Sequence, residues 1–289
     1  MLRYLAFLFL VFLAMPAAAQ APAFASDRIG VTVTGSGPDV VLIPGLSSHP
    51  DVWAPTVAAV PGYRYHLVHV SGFAGRPAGA NATGPVLEPV AGELARYIRE
   101  AGLERPALVG HSMGGSWAMM VAGRNPGLVG KVMVVDMMPF LGAMFGAPNS
   151  DAVRPIATQI RAGMAAAPAE ARRTQVEQTI AGMVRTESLR PGVVAQSLAS
   201  DPAASGQGFF DVLVTDLRPE LANLRVPLTV LYVLPAGAPL TAEQIDQYYQ
   251  ASYAAVPGAV LRRIPDSYHF IMYDQPQVFQ AALREFLAR

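Results

Sequence analysis

Chemistry is concentrated in one short run, ALVGHSMGGSWAMM, from Ala107 to Met120. A β-forming segment reaches Gly110, Gly110-His111-Ser112-Met113-Gly114 satisfies G-x-S-x-G, and a helix-forming segment follows. In that setting the serine sits on a strained strand-to-helix turn, and bulkier residues at the glycines would collide with the backbone that makes it tight. The turn exposes the Ser112 hydroxyl, and the free N–H groups opening the next helix favour a developing negative charge. Such a hydroxyl is a poor nucleophile until a base takes its proton. Five histidines are available: His49, His66, His69, His111 and His269. His66 and His69 lie three apart on one β-run and so face opposite sides. His111 adjoins the serine but points away from it by the geometry of the turn, and His269 lies in a loop after the last β-run.

Holding a serine and a base together requires a scaffold, and the chain alternates β-type and helix-type runs. Expected strands are Ile29 to Val33, Val40 to Ile43, Tyr65 to Val70, Ala107 to Val109, Val132 to Val135, Leu228 to Leu234 and Val260 to Ile264. Val90 to Ala101 reads as an amphipathic helix, with Val90, Leu94, Tyr97, Ile98 and Ala101 on one stripe. Thr241, with Glu243 and Gln244 in the following turn, opens another helix, and Pro276 starts the last. The fold class is therefore α/β, a mostly parallel, doubly wound sheet. The alternation fails across residues 139–217, which are rich in Ala, Met, Gln and Arg and contain no convincing strand. This stretch is read as an inserted helical cap on a core formed by residues 20–138 and 218–289.

Composition narrows the partners. The 289 residues are 52% hydrophobic and 15% charged, enough to bury one large core. The 21 basic and 21 acidic residues cancel, so no net field attracts nucleic acid or an acidic membrane surface. Arg3, an apolar run from Tyr4 to Met15 and the small residues Ala17 to Ala19 form a secretory signal peptide over residues 1–19, with Ala25 as a second cleavage candidate. The apolar run is shorter than the ~20 residues of a spanning helix, so no stable membrane anchor is expected after cleavage. The chain has no cysteine, hence neither a disulfide nor a lipoprotein attachment site, and a periplasmic or secreted protein held by its core is expected. There is no H-E-x-x-H and no clustered metal-ligand spacing, so no metal and no cofactor are expected. Nothing here sets an oligomeric state.

Three segments together resemble the α/β-hydrolase superfamily across nearly the whole mature chain: LIPGLSSHPDVW (Leu42 to Trp53), VGHSMGG (Val109 to Gly115) and PDSYHFIMYDQP (Pro265 to Pro276). They match, in order, that family's oxyanion loop, nucleophile elbow and histidine loop. The resemblance implies Ser112 as nucleophile and His269 as general base, in the family's chain order of Ser, acid, His. It also implies an oxyanion hole from the backbone N–H groups of Leu46 and Met113. The oxyanion loop departs from the commoner His-Gly start, with Pro44 replacing the histidine. In the most familiar members the acid follows the strand corresponding to Leu228 to Leu234, yet the sequence there is PAGAPLT, without a carboxylate. Some members carry the acid one strand earlier, where this chain has Asp136.

Asp136 has its own physical case. A carboxylate between Val135 and Met137, at the C-terminal end of a buried parallel strand, is costly unless paired, and ligands and catalytic groups gather at such ends. Its strand should neighbour the one feeding Ser112. The rival carboxylates are Asp266, too local to His269, Asp246 and Glu243 on a solvated helix face, and Asp274 and Asp216 in loops or at helix termini. A serine nucleophile excludes mechanisms that need a carboxylate at that position and leaves an acyl-serine route. Apolar residues of the insertion, Phe140, Met144 and Phe210 among them, are expected to roof a pocket for small hydrophobic esters. Lactonase, perhydrolase and C–C bond hydrolase chemistries fit the same residues. A catalytically inactive binding protein of this fold is the reading from a different class.

Overall fold

The structure, a computed structural model, describes residues 24–289. The targeting segment read at residues 1–19 lies outside them. Among the described residues no helix is long and apolar enough to cross a membrane.

Seven strands form one sheet: β1 (Ile29–Gly35), β2 (Asp39–Ile43), β3 (Arg64–Val70), β4 (Ala107–His111), β5 (Lys131–Val135), β6 (Leu228–Tyr232) and β7 (Val260–Arg263). Their order is β1-β3-β2-β4-β5-β6-β7, antiparallel only between β1 and β3. The side-chain period of two explains why the central strands read as unbroken apolar runs: both faces are covered. Val41, Ile43, Leu108, Val132, Val134 and Val230 belong to the core on one face, and Val40, Leu42, Val109, Met133, Val135 and Leu231 to the core on the other.

The helices are α1 (Ala54–Ala59), α2 (Leu87–Glu100), α3 (Met113–Arg124), α4 (Ser150–Ala166), α5 (Ala169–Met183), α6 (Arg190–Leu198), α7 (Pro202–Val214), α8 (Arg218–Leu221), α9 (Ala242–Ser252), α10 (Ile271–Asp274) and α11 (Pro276–Ala288). α2, α3 and α9 pack on the first face, and α11, with Trp53 and Phe279 in contact, on the second. Local signals act as the chemistry demands: Thr241 and Gln244 close a reciprocal capping box at the start of α9.

Between β5 and β6 the chain is helical, from a 3-10 turn at Leu141–Phe145 through α8. Two packed units stand out. α4 lies against α7 around Phe140, Val153, Ala157 and Leu213, whereas α5 and α6 send Ile180, Val184 and Val193 into the core of the second face. α7 is tied to the sheet domain by Asp211, whose Oδ2 accepts the Val86 and Leu87 N–H groups at 2.6 and 3.0 Å at the start of α2. A carboxylate there also complements the positive end of that helix.

Candidate active site

Ser112 is the first residue beyond β4, with φ 53° and ψ −127°, a conformation rarely adopted by a residue with a Cβ. The packing of glycines makes it possible. A Cβ on Gly110 would stand 2.1 Å from the Gly114 carbonyl oxygen, and one on Gly114 would stand 2.3 Å from that of Ile43. The Ser112 N–H donates to the Val135 carbonyl at 2.8 Å, extending the β4–β5 ladder by one step.

That step sets Ser112 beside Asp136, the first residue beyond β5, and the Asp136 N–H in turn donates to Leu231 on β6 at 2.7 Å. Asp136 Oδ2 meets His269 Nδ1 at 2.6 Å, although the two residues are 133 apart in sequence. Its Oδ1 accepts the Val233 N–H at 3.1 Å and the Tyr249 hydroxyl at 3.2 Å. The first of these bonds is also why β6 ends at Tyr232, short of the expected Leu234: the Val233 N–H turns from the ladder to the carboxylate. Burial, reinforced by the Asp136 charge, pushes the Tyr249 phenol well above its usual range and keeps it a neutral donor. Tyr249 stacks on Tyr232 at 4.0 Å, and Tyr253, which caps the C-terminal end of α9, donates to the Met137 carbonyl at 2.6 Å, so the turn carrying Asp136 is gripped by α9 and its cap.

His269 lies between β7 and α10. With Nδ1 held by Asp136, Nε2 is the ring nitrogen left for Ser112, and both residues line one cavity of about 420 Å³. His111 is fully buried. Its Nε2 donates to the His269 carbonyl at 3.1 Å, its ring centroid is 4.6 Å from that of His269, and its Nδ1 has no partner. Burial, with a smaller contribution from nearby His269, holds the His111 imidazole well below its ordinary 6.5, hence neutral.

Leu46 and Met113 also line the cavity, and among the described residues neither backbone N–H donates to a protein acceptor. Gly45 permits the close approach, since a Cβ there would be 2.9 Å from Ser112 Cβ. Helices α6 and α7 brace this loop: Ser47 Oγ meets Ser205 Oγ at 2.8 Å, and the His49 N–H donates to Gln196 Oε1 at 3.0 Å.

The cavity walls are apolar, with Met113, Leu141, Met164, Met183, Phe209 and Phe270 among them. The expected roof residues Phe140, Met144 and Phe210 are not. Phe140 is 1% exposed inside the α4–α7 core with the Arg218 guanidinium over its ring, and Met144 is 41% exposed on the outside. Phe210 sits under Arg161. On a helix one residue is a rotation of about 100°, so Phe209 faces the cavity while Phe210 turns to α4.

The other candidates lie elsewhere. His66 bonds Asp39 and Tyr97, and His69 bonds the Phe73 carbonyl and packs edge-on against His49. Asp266 pairs with Arg185, Asp246 with Arg263 and Asp216 with Arg218. Asp274 collects the N–H groups of Arg185, Thr186 and Tyr268, and Glu243 stays in the first turn of α9. The sequence reading gives no role to Tyr249, Tyr253 or the His111 bond. The only sequence trace of the first two is a pair of tyrosines four apart, in and just after the helix that follows β6.

Comparison with known proteins bears on this arrangement. The profile described as "Alpha/beta hydrolase family" matches residues 40–282. The chain is 29% identical over 215 residues to a pimeloyl-[acyl-carrier protein] methyl ester esterase of Vibrio atlanticus, covering 72% of this chain and 80% of that protein. Alignments to three other curated relatives span 39%, 65% and 37% of those proteins' lengths. Among solved structures, a bromoperoxidase from Bacillus anthracis superposes with a TM-score of 0.75 at 19% identity, over 90% of this chain and 95% of that one. An esterase from Exiguobacterium antarcticum superposes with 0.73 at 20% identity, over 90% and 96%. The sheet order, the serine turn and the profile match spanning most of the sequence agree: this chain belongs to the α/β hydrolase family.

Proposed function

We propose that the protein is a serine hydrolase that cleaves carboxylic esters of small hydrophobic substrates through an acyl-serine intermediate. One observation carries the reading: the 2.6 Å contact between Asp136 Oδ2 and His269 Nδ1, which fixes the imidazole tautomer beside Ser112 at the floor of an apolar cavity. His269 Nε2 takes the Ser112 proton as Oγ attacks the carbonyl, and the Leu46 and Met113 N–H groups stabilise the oxyanion. The intermediate collapses with the alcohol leaving on the proton held by His269. Water, deprotonated by the same nitrogen, then releases the acid and restores the serine. Asp136 stabilises the imidazolium in both halves. The Vibrio esterase similarity supports ester chemistry, and the targeting segment read at residues 1–19 supports an exported enzyme.

The test is kcat/KM for a short-chain p-nitrophenyl ester, with folding checked by circular dichroism. Asp136→Asn is expected to lose 10³ to 10⁴-fold, about 4 to 5.5 kcal/mol of transition-state stabilisation. A fluorophosphonate should label the unmutated protein on Ser112 and leave Ser112→Ala untouched. A folded protein that neither hydrolyses esters nor labels would instead be a binding protein of this fold.

A further inference from the structure

Along α5 the cavity wall changes character. Ile180 and Met183 lie toward the base, where the Met183 carbonyl accepts the Phe270 N–H at 3.1 Å. Arg172, Gln175 and Thr179 line the cavity from the other half of the helix, and α5 carries Arg172 about 16 Å along its axis from Met183. Arg172 is the one Lys or Arg side chain among the cavity-lining residues. Its Nη2 donates to the Ser197 carbonyl in the last turn of α6 at 2.9 Å and to the Ser200 carbonyl just beyond that helix at 2.6 Å. A guanidinium has five N–H donors, so three are left without a protein acceptor among the described residues, and no carboxylate there pairs with it. Of the two acids on α5, Glu177 pairs with Arg173, and Glu170, in the first turn, forms no ion pair among the described residues. The side chain is half-buried and partly anchored, which lowers the entropy lost on engaging a ligand.

We infer that this end of the cavity is an anion subsite, and that the preferred substrates are hydrophobic esters bearing a carboxylate at the far end of one limb. The inference rests on the ester hydrolase reading above and adds the substrate class. An apolar cavity alone would favour a neutral chain, because an unpaired charge is costly to desolvate. A charge-assisted bond to Arg172 reverses that preference.

The experiment compares two ester pairs of equal chain length: mono-p-nitrophenyl suberate with p-nitrophenyl octanoate, and 8-butyryloxyoctanoic acid with octyl butyrate followed by pH-stat. In the unmutated protein at least one pair should favour the charged member by about ten-fold or more in kcat/KM, expressed in KM. The ratio should fall below one in Arg172→Met and be partly kept in Arg172→Lys. Arg172 also braces α6, so Gln175→Glu gives a second reading: it is nearly isosteric at an exposed site, leaves Arg172 in place and offers it a carboxylate one turn away. It too should abolish the preference. Hydrolysis with no charged preference in either pair, or a preference that survives both Arg172→Met and Gln175→Glu, overturns the subsite and leaves the hydrolase reading standing. A folded protein that hydrolyses none of the four esters overturns the hydrolase reading and the subsite with it.

Discussion

Ser112 and Asp136 occupy equivalent places. Each is the first residue past a buried parallel strand, the two strands are neighbours in register, and both residues have left-handed φ, 53° and 52°. They are held there by different means. The serine turn is enforced locally, by glycines within two residues of it and by Gly45 across the turn. The aspartate turn has no glycine; Leu231, Val233, Tyr249 and Tyr253, all nearly a hundred or more residues later, pin it by hydrogen bonds. Strain at one site is relieved by small residues nearby, and at the other it is outweighed by contacts from elsewhere in the chain.

The contrast can be broken most severely at the serine turn. Gly114→Ala places a methyl 2.3 Å from a main-chain oxygen that has nowhere to go. It is expected to reduce esterase activity to the level of Ser112→Ala and to cost about 3 kcal/mol in thermal or denaturant unfolding. A variant with unchanged stability and activity would show that the turn is not sterically set. The aspartate turn should yield by degrees. Tyr249→Phe removes one of the bonds to Asp136 and leaves the Val233 N–H and His269 in place, so about a ten-fold loss in kcat with little change in KM is expected. A loss as large as that of Asp136→Asn would mean that Tyr249 alone holds the carboxylate.

A further effect is on stability against pH. His111, beside the serine, and His66, between Asp39 and Tyr97, are both buried and held below their ordinary 6.5 chiefly by desolvation. Their unfolded forms take up protons first as pH falls. Stability is therefore full above pH 6.5 and is lost as pH drops from there toward the folded values, at up to about 1.4 kcal/mol per pH unit for each histidine. Urea unfolding between pH 5 and 8 measures this, and a His111→Phe variant should show a shallower slope. Tyr249 adds no loss near neutrality: with its folded phenol shifted upward, its contribution is full below the ordinary 10.0 and is lost only as pH rises above it.

The sequence is most informative where function depends on short-range sterics. Gly110 to Gly114 marks the serine turn because the strained turn needs glycines at fixed offsets, and unbroken apolar runs mark the central strands because both faces are covered. His269 and Asp136 were legible only as candidates, a loop histidine and a carboxylate at a strand end. Their contact joins residues 133 apart, and local pattern carries no record of such a distance. The pocket was least legible. Phe209 and Phe210 are the same residue type, one position apart, and only the packing of α7 against α4 decides which lines the cavity.

By itself, then, the sequence determined the strand pattern, the serine turn and the chemical types at hand, because these follow from steric and periodic rules acting within a few residues. Tertiary structure alone decided that Asp136, and no carboxylate after β6, meets His269, that Tyr249 of α9 and Tyr253 just beyond it hold the Asp136 turn, and that Arg172 lines the cavity. Those outcomes depend on strand order and helix packing, where a hydrogen bond across a hundred residues is as short as one across three.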